Sequence, residues 1–254
     1  MFGLKPKAPI SAEAQTWVEE AFARLTTLQG RDRLLSLPVV LPTAAFFPND
    51  FQPTEASVQD TLDRVCAFME VDPHRVVLDV FDDLEEEVTR KIRQSMPYWR
   101  GQTEGAAGTY REDTELEKFK ISVNRSRLKD PMTLIAVLAH ELGHVRLLGD
   151  ARLDHDAPDM EPLTDLVTVF WGMGVFNANA AARFSQYDDG TKQGWSMKRL
   201  GYLSEPTFAY ALAVFAYERG ERNPPWSKYL TVNVGTYFRQ SLKFLSHSRR
   251  SGPP

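Results

Sequence analysis

His140-Glu141-Leu142-Gly143-His144 is the stretch that decides how this chain reads. It lies inside a longer run that opens at Asp130-Pro131, continues from Met132 through Leu148 and closes at Gly149. Asp130 suits a helix N-cap, because its carboxylate can accept from the first free N–H groups. Pro131 fits the first helical position, where no N–H is needed. Leu134, Ile135, Val137, Leu138, Leu142, Val145 and Leu148 recur at helical spacing, which predicts one helix that is largely buried. Gly149 is expected to supply a left-handed stop. Residues four apart on a helix share a face. His140 and His144 can therefore offer two imidazoles to one metal ion. Glu141 lies one step round, where a carboxylate reaches a water held by that metal.

This is the His-Glu-x-x-His pattern of zinc hydrolases. Catalytic zinc usually takes three protein ligands and keeps one position open, so a third ligand is required. Glu161-Pro-Leu-Thr-Asp165 opens a second apolar helix that continues through Leu166, Val167, Val169, Phe170 and Trp171. Glu161 and Asp165 are four apart and share a face. Together the two elements resemble the gluzincin metallopeptidases, in which His-Glu-x-x-His is followed by a linker and then Glu-x-x-x-Asp on the next helix. The resemblance covers roughly residues 118 to 176 and is carried by His140, Glu141, His144, Glu161 and Asp165. It implies that Glu161 is the third zinc ligand beside His140 and His144. Asp165 would support His140, fixing its tautomer and raising its basicity. The stretch is also similar to the metallopeptidase domains of bacterial stress and mobile-element regulators, which place a Glu at a similar distance. The metzincin pattern is not met: Leu147 stands where its glycine belongs, and Asp150 where its third histidine belongs.

At 254 residues the chain is long enough for one large domain or two small ones. Its 43% hydrophobic and 25% charged residues match an ordinary soluble globular protein. The formal net charge of −4 argues against general nucleic-acid binding. Cys66 is the single cysteine, so no internal disulfide is expected. That suits a reducing cytoplasm, with the thiol in a helix core. The opening Met-Phe-Gly-Leu-Lys-Pro-Lys has no apolar leader segment. The apolar run from Leu166 to Phe176 is too short to span a bilayer and reads as a buried core helix.

Ser11 is expected to cap a helix running to about Gln29, with Trp17, Val18, Ala21, Phe22, Leu25 and Leu28 as its apolar face and Gly30 as its end. A short Val-Val-Leu strand is expected at 39–41, between Pro38 and Pro42. Thr54 should cap a helix to about Met69, and 76–81 should be a strand. The acidic run from Asp82 to Glu87 reads as a solvated face, and 99–114 as a loop or loose hairpin. Lys118 to Asn124 alternates strictly, predicting a strand with Phe119, Ile121 and Val123 inward and a polar outer face. The polar linker from Asp150 to Met160 contains His155, a candidate for touching metal or substrate. Residues 177–204 read as mixed structure. Ser204 should cap a helix that Gly220 ends, a last helix should span about Ser227 to Leu245, and a frayed basic tail should run from His247.

The expected architecture is α+β: one mainly helical, zincin-like domain over 1–254 with a small sheet and an active-site helix carrying the motif. Its N-terminal helical and strand part would cover about 1–117, its metal-site core about 118–176 and its C-terminal helical part about 177–254. The expected activity is that of a zinc-dependent peptidase acting on a peptide or protein, with Glu141 as general base. An oxyanion stabiliser is usual in such sites, and Tyr202, Tyr210 and Arg183 are the candidates. Two other readings stay open: a catalytically silent metal sensor or partner-binding module, and a non-peptidase zinc hydrolase or purely structural metal protein. All three require metal. The chain purified without chelator should carry about one zinc per molecule; elemental analysis finding no transition metal would leave the two histidines as ordinary core residues.

Overall fold

The computed structural model describes residues 6–48, 50–81, 108–113, 118–150, 159–184 and 203–249. Helix α1 (Ala12–Gln29) begins where the Ser11 hydroxyl accepts from the Ala14 N–H, and it ends at Gly30. Ala14, Val18, Phe22 and Leu25 face inward, whereas Leu28, placed inward by its spacing, is 53% exposed. A short helix α2 (Arg31–Ser36) follows at once. The strand expected at 39–41 does not form. Pro38 and Pro42 remove N–H groups that a ladder would need, and the segment is instead tied to the core by the buried Val40 side chain and by a Val40 N–H to Gly172 carbonyl bond of 2.9 Å. Helix α3 (Glu55–Phe68) is capped by Thr54 as its sequence predicts.

The sheet has three strands: β1 (Val76–Phe81), β2 (Gly108–Asp113) and β3 (Lys118–Asn124), in the order β1-β3-β2. β1 runs parallel to β3, pairing Leu78 with Ile121, and β2 runs antiparallel to β3, pairing Tyr110 with Ile121. Part of the stretch read as loop or loose hairpin is thus a regular strand beside β3. Phe119, Ile121 and Val123 are buried, as alternation predicts. Ser122 and Asn124 are buried too, so the polar outer face is solvated only in part: the Ser122 hydroxyl donates to Asp79, which also pairs with the half-exposed Lys120 at 3.0 Å. The acidic run at 82–87 lies outside the described residues.

A 3-10 turn (Arg125–Lys129) leads from β3 into α4 (Pro131–His144), the motif helix. The Asp130 carboxylate accepts from the Met132 and Thr133 N–H groups and from the Thr133 hydroxyl. From Thr133 to His144 every residue of α4 is buried. The expected left-handed stop at Gly149 is absent. The chain widens into a π-helical turn (Val145–Asp150), and the glycine serves close approach instead, since a Cβ there would meet the Phe119 ring at 2.7 Å.

The next apolar run is two helices, not one: α5 (Met160–Phe170) and α6 (Gly174–Phe184). The break falls at Gly172, whose φ of +79° is a left-handed conformation that glycine adopts without a Cβ clash. Helix α6 also occupies 177–184, within the region read as mixed structure. Helix α7 (Glu205–Glu218) is buried on all sides from Thr207 to Ala216, and α8 (Val232–Ser248) packs along it. A 3-10 turn (Pro225–Tyr229) precedes α8. Arg249, in the tail expected to fray, instead pairs with Glu19 and Glu218.

One continuous apolar cluster joins α1, α3, the sheet and α4 through α8. The observed class is therefore mainly helical with a small mixed sheet. Among the described residues no helix is long and apolar enough to cross a membrane. Cys66 sits in the α3 core, where burial, and then Asp63 and Asp72, push its thiol up to about 12. Because the thiolate is the reactive form, the native protein should resist a disulfide reagent at pH 8 and react fully once unfolded. Rapid labelling of the native chain would show that α3 opens locally.

Candidate metal centre

Helices α4 and α5 come together at the residue between the two motif halves. A Cβ on Gly143 would lie 2.8 Å from Thr164 Cγ2 and 3.1 Å from the Thr164 carbonyl oxygen. No side chain other than hydrogen fits there without displacing α5. At this separation the first turn of α5 reaches the imidazoles of α4 directly.

Three donors converge: His140, His144 and Glu161 offer ligand atoms that all lie within 4.8 Å of one another. Glu161 Oε2 is 3.1 Å from His140 Nε2 and 3.6 Å from His144 Nε2. A tetrahedral ion with bonds of ~2.0–2.1 Å holds its donors roughly 3.3–3.5 Å apart, so these spacings bracket what such an ion needs. Two neutral imidazoles and one carboxylate also form a borderline-soft donor set that suits a transition metal. The residues therefore fit a metal ion. The His140 and His144 side chains are only 4% and 10% exposed, whereas Glu161 is 44% exposed, so the group is buried on the helix side and reachable past Glu161.

The surroundings orient the first histidine. Asp165 Oδ1 lies 2.8 Å from His140 Nδ1. The other oxygen, Oδ2, accepts the Leu203 N–H at 2.7 Å. Asp165 is 1% exposed, and a carboxylate so buried needs these partners to offset desolvation. As an acceptor it requires Nδ1 to carry the proton, which leaves the Nε2 lone pair for an ion.

Charge coupling follows the same geometry. Burial acts to lower the His140 pKa, but hydrogen bonds to Asp165 and Glu161 raise it well above the ordinary imidazole value. Burial acts to raise the Glu161 pKa, but the two histidines pull it far below the usual carboxylate range. A proton at Nε2 competes with a metal ion for the same lone pair, so affinity rises with pH. Glu141 lies outside the donor group and is 4% exposed. Burial pushes its carboxyl upward, the two histidines oppose this, and Glu161 adds to the rise.

Of the residues expected at the site, His140, His144, Glu161 and Asp165 are brought together. Tyr210 is not: its hydroxyl donates to Glu19 at 2.5 Å, and burial followed by that bond pushes its pKa upward. Tyr202, His155, Asp154 and Asp156 fall outside the described residues, as does the side chain of Arg183. Sequence reasoning missed Thr164, whose hydroxyl lies 3.2 Å from His144 Nδ1. Its signal was present: it sits three residues after Glu161, on the same helical face.

The chain matches no protein-family model, no curated protein and no solved structure.

Glu161→Ala should abolish tight metal binding while leaving the helices folded. Asp165→Asn should weaken metal affinity by roughly 10- to 100-fold, since an amide cannot serve as the same charged acceptor. Chelator competition measures both. Metal retained at wild-type affinity in Glu161→Ala would remove Glu161 from the donor set.

Proposed function

We propose that the chain is a zinc-dependent peptidase of gluzincin type, built on a zincin-like arrangement of motif helix, small sheet and second metal helix. The observation that carries this reading is the meeting of His140, His144 and Glu161, with Asp165 behind His140 and Glu141 beside the group. The resemblance to gluzincins assigns the same roles to the same five positions, and the donor set suits zinc.

When bound, zinc supplies Lewis acidity, polarising a carbonyl and lowering the pKa of water from ~15.7 to ~7. The chain's own residues do the rest. His140, His144 and Glu161 would hold the ion from two helices that pack together. Asp165, hydrogen-bonded at Nδ1, would leave the His140 Nε2 free for it. Glu141 would take a proton from the attacking water and deliver it to the leaving amine nitrogen. Its burial suits that work: an upward-shifted carboxyl is a better base than an exposed one and a readier donor on the return step. The half-exposed flank of Glu161 gives a peptide carbonyl a way in.

Glu141→Gln tests the reading, because it preserves shape, lies outside the donor set and removes the base. Zinc content should be unchanged. Peptide cleavage should fall by ~10² to 10⁴, about 3 to 5 kcal/mol of barrier. Equal rates at matched zinc occupancy would remove Glu141 from catalysis. Zinc binding with no cleavage of a broad peptide library by either form would favour a metal-dependent binding module. Turnover of small amides or esters alone would favour a non-peptidase hydrolase.

A further inference from the structure

We infer that Thr164 is the positioning residue of His144, so that one turn of α5 supplies a metal ligand together with the outer hydrogen-bond partners of both motif histidines. The inference rests on the metal-centre reading and extends it to a residue that the five-position pattern does not contain.

Thr164 is fully buried, at 0% exposure. Its hydroxyl is 2.8 Å from the Met160 carbonyl oxygen, one turn back in α5. A carbonyl only accepts, so the hydroxyl hydrogen is committed there. The same oxygen lies 3.2 Å from His144 Nδ1. With its hydrogen spent, the oxygen can only accept, so Nδ1 must carry the proton. In the neutral ring that a metal needs, Nε2 is then the nitrogen with the free lone pair, and it is the one 3.6 Å from Glu161 Oε2, on the donor side. Thr164 thereby does for His144 what Asp165 does for His140, with a neutral acceptor in place of a charged one.

The second half of the side chain explains why threonine suits the position. Its methyl group lies against the bare face of Gly143, where an added Cβ would be 2.8 Å away. That contact leaves Thr164 little freedom to rotate its hydroxyl away from the ring. Glu161, Thr164 and Asp165 stand at i, i+3 and i+4, one face of one turn. The functional unit on α5 is accordingly Glu-x-x-Thr-Asp, and the Gly143 gap is its counterpart on α4.

The test compares zinc affinity in wild type, Thr164→Val and Thr164→Ser by chelator competition, with thermal unfolding of each. Valine keeps the methyl packing and loses the acceptor; serine keeps the acceptor and loses the methyl. Thr164→Val should bind zinc about 10- to 100-fold more weakly, and Thr164→Ser should stay close to wild type. A Thr164→Val protein that melts earlier but binds zinc as tightly as wild type would overturn the assignment and leave Thr164 a packing residue. A second measurement needs no variant: long-range ¹H–¹⁵N spectra of the zinc-loaded wild type should show His144 protonated at Nδ1. Protonation at Nε2 would overturn the assignment. Wild type that binds no zinc at all would overturn the metal-centre reading, and the role of Thr164 with it.

Discussion

The close passage of α4 over α5 at Gly143 is the constraint on which the site depends. Two helices can approach only as near as the side chains between their axes allow. Here one position carries no side chain, and a Cβ would fall 2.8 Å from Thr164. That gap sets the depth at which Glu161, Thr164 and Asp165 meet the two imidazoles, at 2.8 to 3.6 Å. Each of these contacts is short-ranged and directional, so a small shift of α5 would loosen all of them together. The second x of His-Glu-x-x-His is therefore part of the geometry.

The site places polar groups where the rest of the fold is apolar, and that costs stability. Glu141, His140 and Asp165 are each less than 5% exposed. An isolated charge at such depth would be strongly destabilising, while a hydrogen-bonded one is tolerable. Asp165 meets this condition with the His140 ring on one oxygen and the Leu203 N–H on the other. The second bond ties the segment entering α7 to α5, so distant parts of the chain share in holding one carboxylate. Leu134, Leu138 and Leu142 on α4, all fully buried, contribute on the order of 1.5–3 kcal/mol apiece. Apolar burial of that scale offsets the polar cost.

Much of this was legible in the sequence, for definable reasons. Caps and helical periodicity are local: Ser11, Thr54 and Asp130 each bond to N–H groups two or three residues on, so their role needs no knowledge of the rest of the chain. The failures were non-local. Residues 39–41 have the composition of a strand but flanking prolines and, among the described residues, no paired strand, and Val40 bonds to the turn at Gly172 instead. Leu28 has helical spacing with α1's apolar face but is left half-exposed by the packing around that helix's end. Tyr210 has the chemistry of an oxyanion stabiliser, yet the packing of α7 on α1 delivers its hydroxyl to Glu19.

By itself, the sequence determined the motif helix, the pairing of His140 with His144 on one face and the pairing of Glu161 with Asp165 on another. The 3.6-residue period enforces both wherever those helices lie. It also determined a mainly helical class with a small sheet. Only the tertiary structure decided that the two faces meet, because no local rule specifies the packing distance across Gly143 or the direction from which α5 arrives. It alone decided that the Thr164 oxygen, with its hydrogen spent on Met160, is left to accept from His144. A hydroxyl's role depends on every partner within about 3 Å, and those partners come from two helices that the chain separates by a linker.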